Sequence, residues 1–282
     1  MPRGRAFTLT LLAMVAFAAN SVLCRLALQR TAIDPATFAA IRLAAGAAML
    51  SAIVVLRRGA VFGGGNWTSA LALFAYAAGF SLAYVTLPAA TGALLLFGAV
   101  QVTMIGRGLW AGERMDAWQV CGLLLAACGL VGLLMPGLSA PPWRGAALML
   151  GAGVAWGVYS LRGKRAGDAA SATTGNFLRS VPMALLLLLA MSRQRQVDGA
   201  GILYAIASGA LASGIGYVIW YSVLPAIKAT TAATVQLSVP VLAAIGGIVF
   251  LAEPVTLRLL LASIAVLGGV ALVIARKGRP NA

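Results

Sequence analysis

Tyr84-Val85-Thr86-Leu87-Pro88 and Tyr221-Ser222-Val223-Leu224-Pro225 share the pattern Tyr-x-x-Leu-Pro and stand 137 residues apart. The same offset lays Ala19-Asn20-Ser21-Val22-Leu23-Cys24-Arg25 on Trp156-Gly157-Val158-Tyr159-Ser160-Leu161-Arg162, and Arg42 on Arg179. Beyond a three-residue insertion near Lys228 the offset becomes 140, where Glu113 meets Glu253 and Gly129 meets Gly269. One coincidence of this kind is noise. An ordered series at nearly constant spacing is an internal repeat, and it divides the chain into residues 1–138 and 139–282.

What each half contains follows from composition. Of 282 residues, 61% are hydrophobic and only 10% are charged, against roughly 25% charged in soluble domains. The polar surface needed to solvate a globule is missing, which excludes a soluble enzyme, a disordered chain and a secreted disulfide scaffold. Apolar runs bounded by charges, Pro and Gly predict ten spans: 6–29, 35–56, 67–86, 90–110 and 116–135, then 143–161, 172–191, 199–223, 229–251 and 256–275. Each is near the roughly 20 residues that a bilayer crossing needs. Asp34-Pro35 and Glu253-Pro254 mark sharp turns, and Pro136 with Pro141-Pro142 marks the middle linker. Met1 to Asn20 has the basic start and apolar stretch of a signal peptide, but its second half recurs later in the chain, so it reads as a retained first span. Five spans per half is an odd number, so the second half inserts upside down. The predicted fold is an all-α membrane protein, ten transmembrane helices as two inverted five-helix repeats.

Lys and Arg number 21 against six acidic residues, a net charge of +15. In a soluble chain that excess suggests nucleic acid. Here Arg57-Arg58, Arg162-Gly163-Lys164-Arg165 and Arg276-Lys277 stand at the ends of apolar runs, which reads as loop charge facing lipid headgroups. No nucleic-acid partner is expected. With the N-terminus inside, the outer side holds Arg30, Arg144, Arg193, Arg195 and Arg258, the spans hold Arg25, Arg42 and Arg179, and the other thirteen lie inside. That bias places both termini in the cytoplasm. Asn66-Trp67-Thr68 matches a glycosylation sequon, but on the cytoplasmic side it reads as chance. There is no His, and Cys24, Cys121 and Cys128 lie inside apolar runs as small hydrophobes. No metal-ligand spacing exists, so no metal or other cofactor is expected.

Inverted repeats recur in secondary transporters, with the substrate near the midplane where the repeats meet. Transport is therefore favoured over a mere scaffold. The small-residue stretches leading to Arg25 and Arg162, Arg42 and Arg179 early in each second span, the Tyr-x-x-Leu-Pro ends, and Glu113 and Glu253 before the fifth spans form a set. Together, over nearly the whole chain, it resembles the EamA-type ten-helix branch of the drug/metabolite transporter superfamily. Within that branch the chain is similar to bacterial exporters of aromatic amino acids. The resemblance implies a multi-pass carrier of the bacterial inner membrane, in contact with membrane lipids, that exports an amino acid or related small metabolite by alternating access. It also implies that spans three, four, eight and nine line the path while five and ten pack outside.

Polar groups inside a bilayer usually face a bundle interior or a water cavity. Gln101 in span four and Gln236 in span nine carry amides that donate to a carboxylate and accept from an ammonium; the plainer role is an interhelical hydrogen bond. Asn20 and Ser21 offer similar groups in span one. Tyr76, Phe80 and Tyr84 recur every four residues along one face of span three. Span eight has Tyr217, Trp220 and Tyr221, and span six has Trp156 and Tyr159. Tyr84 and Tyr221 lie at span ends and read as interfacial belt residues. Tyr76, Phe80, Trp156, Tyr159 and Tyr217 lie deeper and, with Trp220, are candidate walls for a substrate that stacks on aromatic rings. Arg42 and Arg179 sit too far inside their spans for simple snorkelling and read as structural or gating residues. Pro182 and Pro240 predict kinks in spans seven and nine, while Gly108-x-x-x-Gly112 and Gly153-x-x-x-Gly157 predict close helix contacts.

None of the six acidic residues lies mid-span, so a carboxylate proton relay is not expected and a facilitator or exchanger fits better. The span arginines leave a carrier of anionic metabolites, such as nucleotide sugars or phosphorylated compounds, as the alternative. An intramembrane lipid-modifying enzyme is remote, because no acid–base or metal constellation is present. No enzymatic activity is expected.

Overall fold

The computed structural model describes residues 3–57, 64–110, 112, 115–137, 140–163, 168–194, 196–223 and 235–277. Arg58, Glu113, Arg114, Lys164, Arg165, Arg195, Leu224, Pro225, Lys228 and Arg279, with the first part of span nine, lie outside the described residues. Readings placed on them stand as sequence readings.

Among the described residues ten main helical segments follow one another where the ten spans were read, and there is no strand. They are α1 (Arg3–Arg30), α2 (Pro35–Leu56), α3 (Trp67–Tyr84), α4 (Ala89–Trp110), α5 (Ala117–Leu134), α6 (Trp143–Gly163) and α7 (Ala169–Ala190). Span eight comprises α8 (Gly199–Ile206), a π-helical stretch (Ala207–Ile215) and α9 (Gly216–Val223). Then come α10 (Ser238–Leu251) and α11 (Leu257–Lys277). Seven of the segments are long and apolar enough to cross a bilayer, span eight included, and Ser238–Leu251 and Leu257–Val273 are shorter apolar helices. The middle of span eight is wound as π rather than α.

The scarce acidic residues start the helices. Asp34, Asp116, Asp168 and Asp198 are N-caps of α2, α5, α7 and α8, each accepting from backbone N–H groups of the first turn. Those N–H groups have no intrahelical partner, and the helix N-terminus carries partial positive charge, so a carboxylate satisfies both. Asp116 adds a full capping box with Gln119. The carboxylates absent from the span centres are therefore employed at the span ends. Trp67, Trp110, Trp118 and Trp143 are exposed at helix ends, where an indole suits the headgroup region. Tyr84, expected in that belt, is instead completely buried and donates its hydroxyl to the Ala89 carbonyl at 3.2 Å.

The helices of one half pack mainly on those of the other. α3 lies on α6 and α7, α4 lies on α6, α1 lies on span eight and α10, α2 lies on α7 and the π stretch, and α5 lies on α11. Exchanging first-half and second-half spans maps this set onto itself, as an approximate two-fold between inverted repeats requires. Small residues carry the crossings, because lipid removes the hydrophobic drive between helices and leaves packing to hold them. Gly153 and Gly157 bring α6 against α4, where a Cβ would meet the Leu96 carbonyl at 2.5 Å and Thr103 at 2.9 Å. Gly112 does not play the expected part: it lies past the end of α4 at φ +89° with open space around it.

The α5–α11 pair stands at the periphery and meets the remainder chiefly through α4. A Cβ on Gly122 would sit 2.6 Å from the Gly269 carbonyl, and backbone cannot rotate away. Gly122→Val is expected to lower thermal stability in detergent by roughly 1–3 kcal/mol while substrate affinity stays unchanged. A lost affinity with unchanged melting would contradict the peripheral role.

Candidate functional site

Midway along the bundle the two halves enclose a cavity of about 20 Å³, room for roughly one water molecule. α1 contributes Phe17, Asn20 and Ser21, α3 contributes Tyr76 and Phe80, and α4 contributes Leu96 and Phe97. From the second half come Trp156 on α6 and Tyr217 on α9. The rings pack on one another: Trp156 lies 4.8 Å from Tyr76, 5.2 Å from Tyr217 and 5.5 Å from Tyr159 between centroids. Phe80 lies 5.4 Å from Tyr76 and 4.7 Å, edge-on, from Tyr84. The rings fill most of the space between the walls, and what remains is smaller than any metabolite.

Asn20 is the polar centre of this wall. Its Nδ2 donates to Tyr76 Oη at 3.4 Å and to Ser213 Oγ at 3.5 Å, and its Oδ1 accepts from Ser208 Oγ. Ser208 and Ser213 are five residues apart, which in an α-helix is about 140° of rotation. The π winding, with its i to i+5 register, stacks them on one side. That is how two hydroxyls of one span reach a single amide.

Behind Tyr76 and Phe80 lies Arg42, 1% exposed. Its Nη2 donates to Tyr76 Oη at 2.9 Å, and its guanidinium carbon is 5.1 Å from the Tyr76 ring centre and 4.7 Å from that of Phe80. Cation–π contact of this kind partly replaces hydration. Its Nη1 is buried with no acceptor among the described residues, as is Gln101 Nε2 one turn beyond Phe97.

At one end of the bundle a second polar knot crosses between the halves. Arg25 Nε donates to Glu253 Oε1 at 3.1 Å, and Arg25 Nη1 donates to the carbonyls of Tyr84 and Val85 at 2.9 and 3.0 Å. Glu253 Oε2 accepts from Ala89 N at 2.7 Å, at the start of α4. One ion pair thus ties α1, the end of α3, the start of α4 and the end of α10. At the opposite end Arg162, the repeat counterpart of Arg25, donates to Ser69 Oγ at 3.0 Å and Asn66 Oδ1 at 3.1 Å.

The structure brings Asn20, Tyr76, Phe80, Trp156 and Tyr217 together on the cavity. Tyr159 packs behind Trp156, with its hydroxyl 3.5 Å from Asn176 Nδ2. Trp220 packs on Phe17 at 6.1 Å and is one layer removed. Gln101 is buried near the cavity without lining it, and Gln236 is half-buried and also off the wall. Arg179 is held by the carbonyls of Gly64 and Gly175 at 2.7 and 2.9 Å. Pro182 lies inside α7, whereas Pro240 falls in the first turn of α10, where a missing N–H breaks no bond of that helix. Spans one and six, absent from the path that the resemblance implied but carrying the candidates Asn20 and Trp156, supply wall residues, and no described residue of span nine does. Phe17, Leu96 and Phe97 carried no sequence signal, since an apolar side chain reads alike whether it faces lipid or a cavity. Ser208 and Ser213 carried none because their spacing belongs to no α-helical face.

Comparison with known proteins places this arrangement. The model of the EamA-like transporter family matches residues 4–135 and again 143–275. The chain is 56% identical over 281 residues to the uncharacterized protein PA1977 of Pseudomonas aeruginosa, covering 99% of this chain and 98% of that one. A crystal structure of a protein aligns with a TM-score of 0.67 at 21% identity, over 96% of this chain and 99% of that one. At that identity the likeness speaks for the fold alone.

Proposed function

The chain belongs to the EamA-like transporter family, and from that premise we propose that it exports amino acids, aromatic ones foremost, by alternating access. The observation that carries this reading is the aromatic-walled cavity with Asn20 at its centre, built from both repeats. Flat rings on opposite sides suit an aromatic or bulky apolar side chain. The amide and hydroxyl groups of Asn20, Ser21 and Tyr76 suit the polar end of an amino acid. The described acidic residues all sit at helix ends, in caps or in the ion pair with Arg25. Without a mid-span carboxylate or His to load and release a proton, transport proceeds as facilitated diffusion or exchange. The positive-inside bias supports cytoplasmic termini in a bacterial inner membrane, and the outward direction of transport is part of the proposal.

Counterflow into proteoliposomes tests it. The purified chain is expected to exchange phenylalanine, tyrosine or tryptophan, at a rate that an imposed pH gradient leaves unaltered. Trp156→Ala removes three ring contacts; each such contact is worth about 0.5–1.5 kcal/mol. Exchange of ring-bearing substrates at limiting concentration is expected to fall about tenfold or more, with alanine exchange within about twofold of the parent. Equal losses for both substrate classes would remove the stacking role. Acceleration by a proton gradient would overturn uncoupled transport.

A further inference from the structure

Four arginines, related in two pairs by the repeat, stand in or at the ends of spans, and three are held by fixed acceptors. Arg25 has Glu253 and two carbonyls, Arg162 has Asn66 and Ser69, and Arg179 has the carbonyls of Gly64 and Gly175. Arg42 is the most deeply buried of them and is treated differently. Among the described residues it has one hydrogen bond, to Tyr76, and two ring faces, while its Nη1 meets no acceptor. Among the described residues no carboxylate pairs with it. A guanidinium stays charged at any relevant pH, and a buried charge without a counter-charge is costly. An arginine placed only to brace helices would be finished with carbonyls, as its repeat counterpart Arg179 is.

The surrounding hydrogen bonds point the same way. Tyr76 Oη accepts from both Arg42 and Asn20, so its own proton remains to be donated. Asn20 Oδ1 already accepts from Ser208. Arg42 Nη1 and Gln101 Nε2 are further donors without acceptors. The region holds a surplus of donors and one uncompensated positive charge, and its complement is an anionic acceptor. We infer that Arg42 is the subsite for an anionic group of the transported molecule, a carboxylate, which displaces the Tyr76–Phe80 pair and takes Arg42 Nη1 and the Tyr76 hydroxyl as partners. The inference rests on the transport reading and adds to it a requirement: the carboxylate is recognised before the amine.

The experiment compares wild type, R42Q, R42K and R179Q, reading both thermal unfolding in detergent and counterflow. The probes are phenylalanine, 3-phenylpropionate, phenethylamine and, as a phosphorylated anion, glycerol 3-phosphate. Wild type is expected to be stabilised by phenylalanine and 3-phenylpropionate and to carry both, with phenethylamine doing neither. R42Q is expected to melt at or above the wild-type temperature, because a costly buried charge is gone. Its response to both carboxylates falls about 10- to 100-fold, as for one lost charge-assisted hydrogen bond, and R42K retains part of it. R179Q is expected to melt lower. A lower melting temperature for R42Q with carboxylate response intact would make Arg42 structural and overturn the proposal, as would preference of wild type for phenethylamine. A response to glycerol 3-phosphate alone would overturn the carboxylate assignment. Carboxylate binding without flux, lost in R42Q, would uphold the subsite and sink the transport reading. No response to any anion would sink the subsite, and the exchange of aromatic amino acids would then decide the transport reading by itself.

Discussion

Glu253→Gln is expected to raise the rate at which a water-soluble maleimide modifies Cys24 by about 10- to 100-fold, in a chain whose Cys121 and Cys128 are replaced by Ser. Cys24 is completely buried beside Arg25, whereas Cys121 and Cys128 are exposed, so only the first reports opening of the bundle end. Arg25 and Glu253 retain 13% and 10% side-chain exposure, little enough that water screens the pair weakly. Loss of one charge-assisted hydrogen bond is worth about 1.5–3 kcal/mol, and each 1.4 kcal/mol is tenfold in the open population. Glutamine still offers a carbonyl to Ala89 N, so the Gln variant isolates the ion pair from the helix cap. Glu253→Ala removes both and is expected to react faster still. If Cys24 stays equally protected in both variants, the knot does not hold this end closed.

The repeat that marks Arg25 and Glu253 in the sequence also conceals their partnership. Alignment sets Glu253 on Glu113 and Arg25 on Arg162, pairing like with like. The contact joins residues 228 apart and from opposite halves. A repeat shows which positions are equivalent; it does not show which of them touch. Helix ends are a local matter: Asp34, Asp116, Asp168 and Asp198 each cap a helix through backbone groups two or three residues away, although of these only Asp34-Pro35 was read in the sequence, as a sharp turn. Their chemistry is local and can be read without knowing the fold.

The candidate site was legible to the extent that its residues are unusual in lipid. Asn20 stands out as an amide in an apolar run, and Tyr76 and Phe80 share a helix face, so all three were found. Tyr84 shares that face and was assigned to the interface by its place at the span end. Its burial comes from packing on Phe80 and from Gly92, where a Cβ would meet the Tyr84 ring at 2.4 Å. Phe17, Leu96 and Phe97 were beyond reach because hydropathy in a membrane protein does not distinguish inside from outside. The π stretch was beyond reach for another reason. Ser208-Gly-Ala-Leu-Ala-Ser213 contains nothing that α-helix forbids, and only Asn20, far away in sequence, gives the other winding its use.

That winding seats Gly209 directly against the backbone of α2, and Gly209→Ala is expected to abolish transport. A Cβ there would lie 2.1 Å from the Arg42 carbonyl oxygen, 2.9 Å from its carbon and 3.0 Å from Ala45 Cβ. From the other side, a Cβ on Gly46 would meet the Gly209 carbonyl at 3.2 Å. The obstacle is backbone on both sides, so no rotamer change relieves it and α2 must move away from span eight. Overpacking of this kind usually costs about 1–3 kcal/mol, and the upper end is expected because the shift also draws Ser208 and Ser213 from Asn20 and displaces Arg42 from Tyr76. Gly151→Ala is the control: nothing lies within 4 Å of its Cβ position, and inside a helix alanine is favoured by about 0.5–1 kcal/mol. Thermal unfolding of the two variants should therefore shift in opposite directions, with exchange lost only in the first. Gly209→Ala with wild-type melting and exchange would mean that α2 and the π stretch do not approach this closely in the working protein, and the convergence of two serines on Asn20 would fall with it.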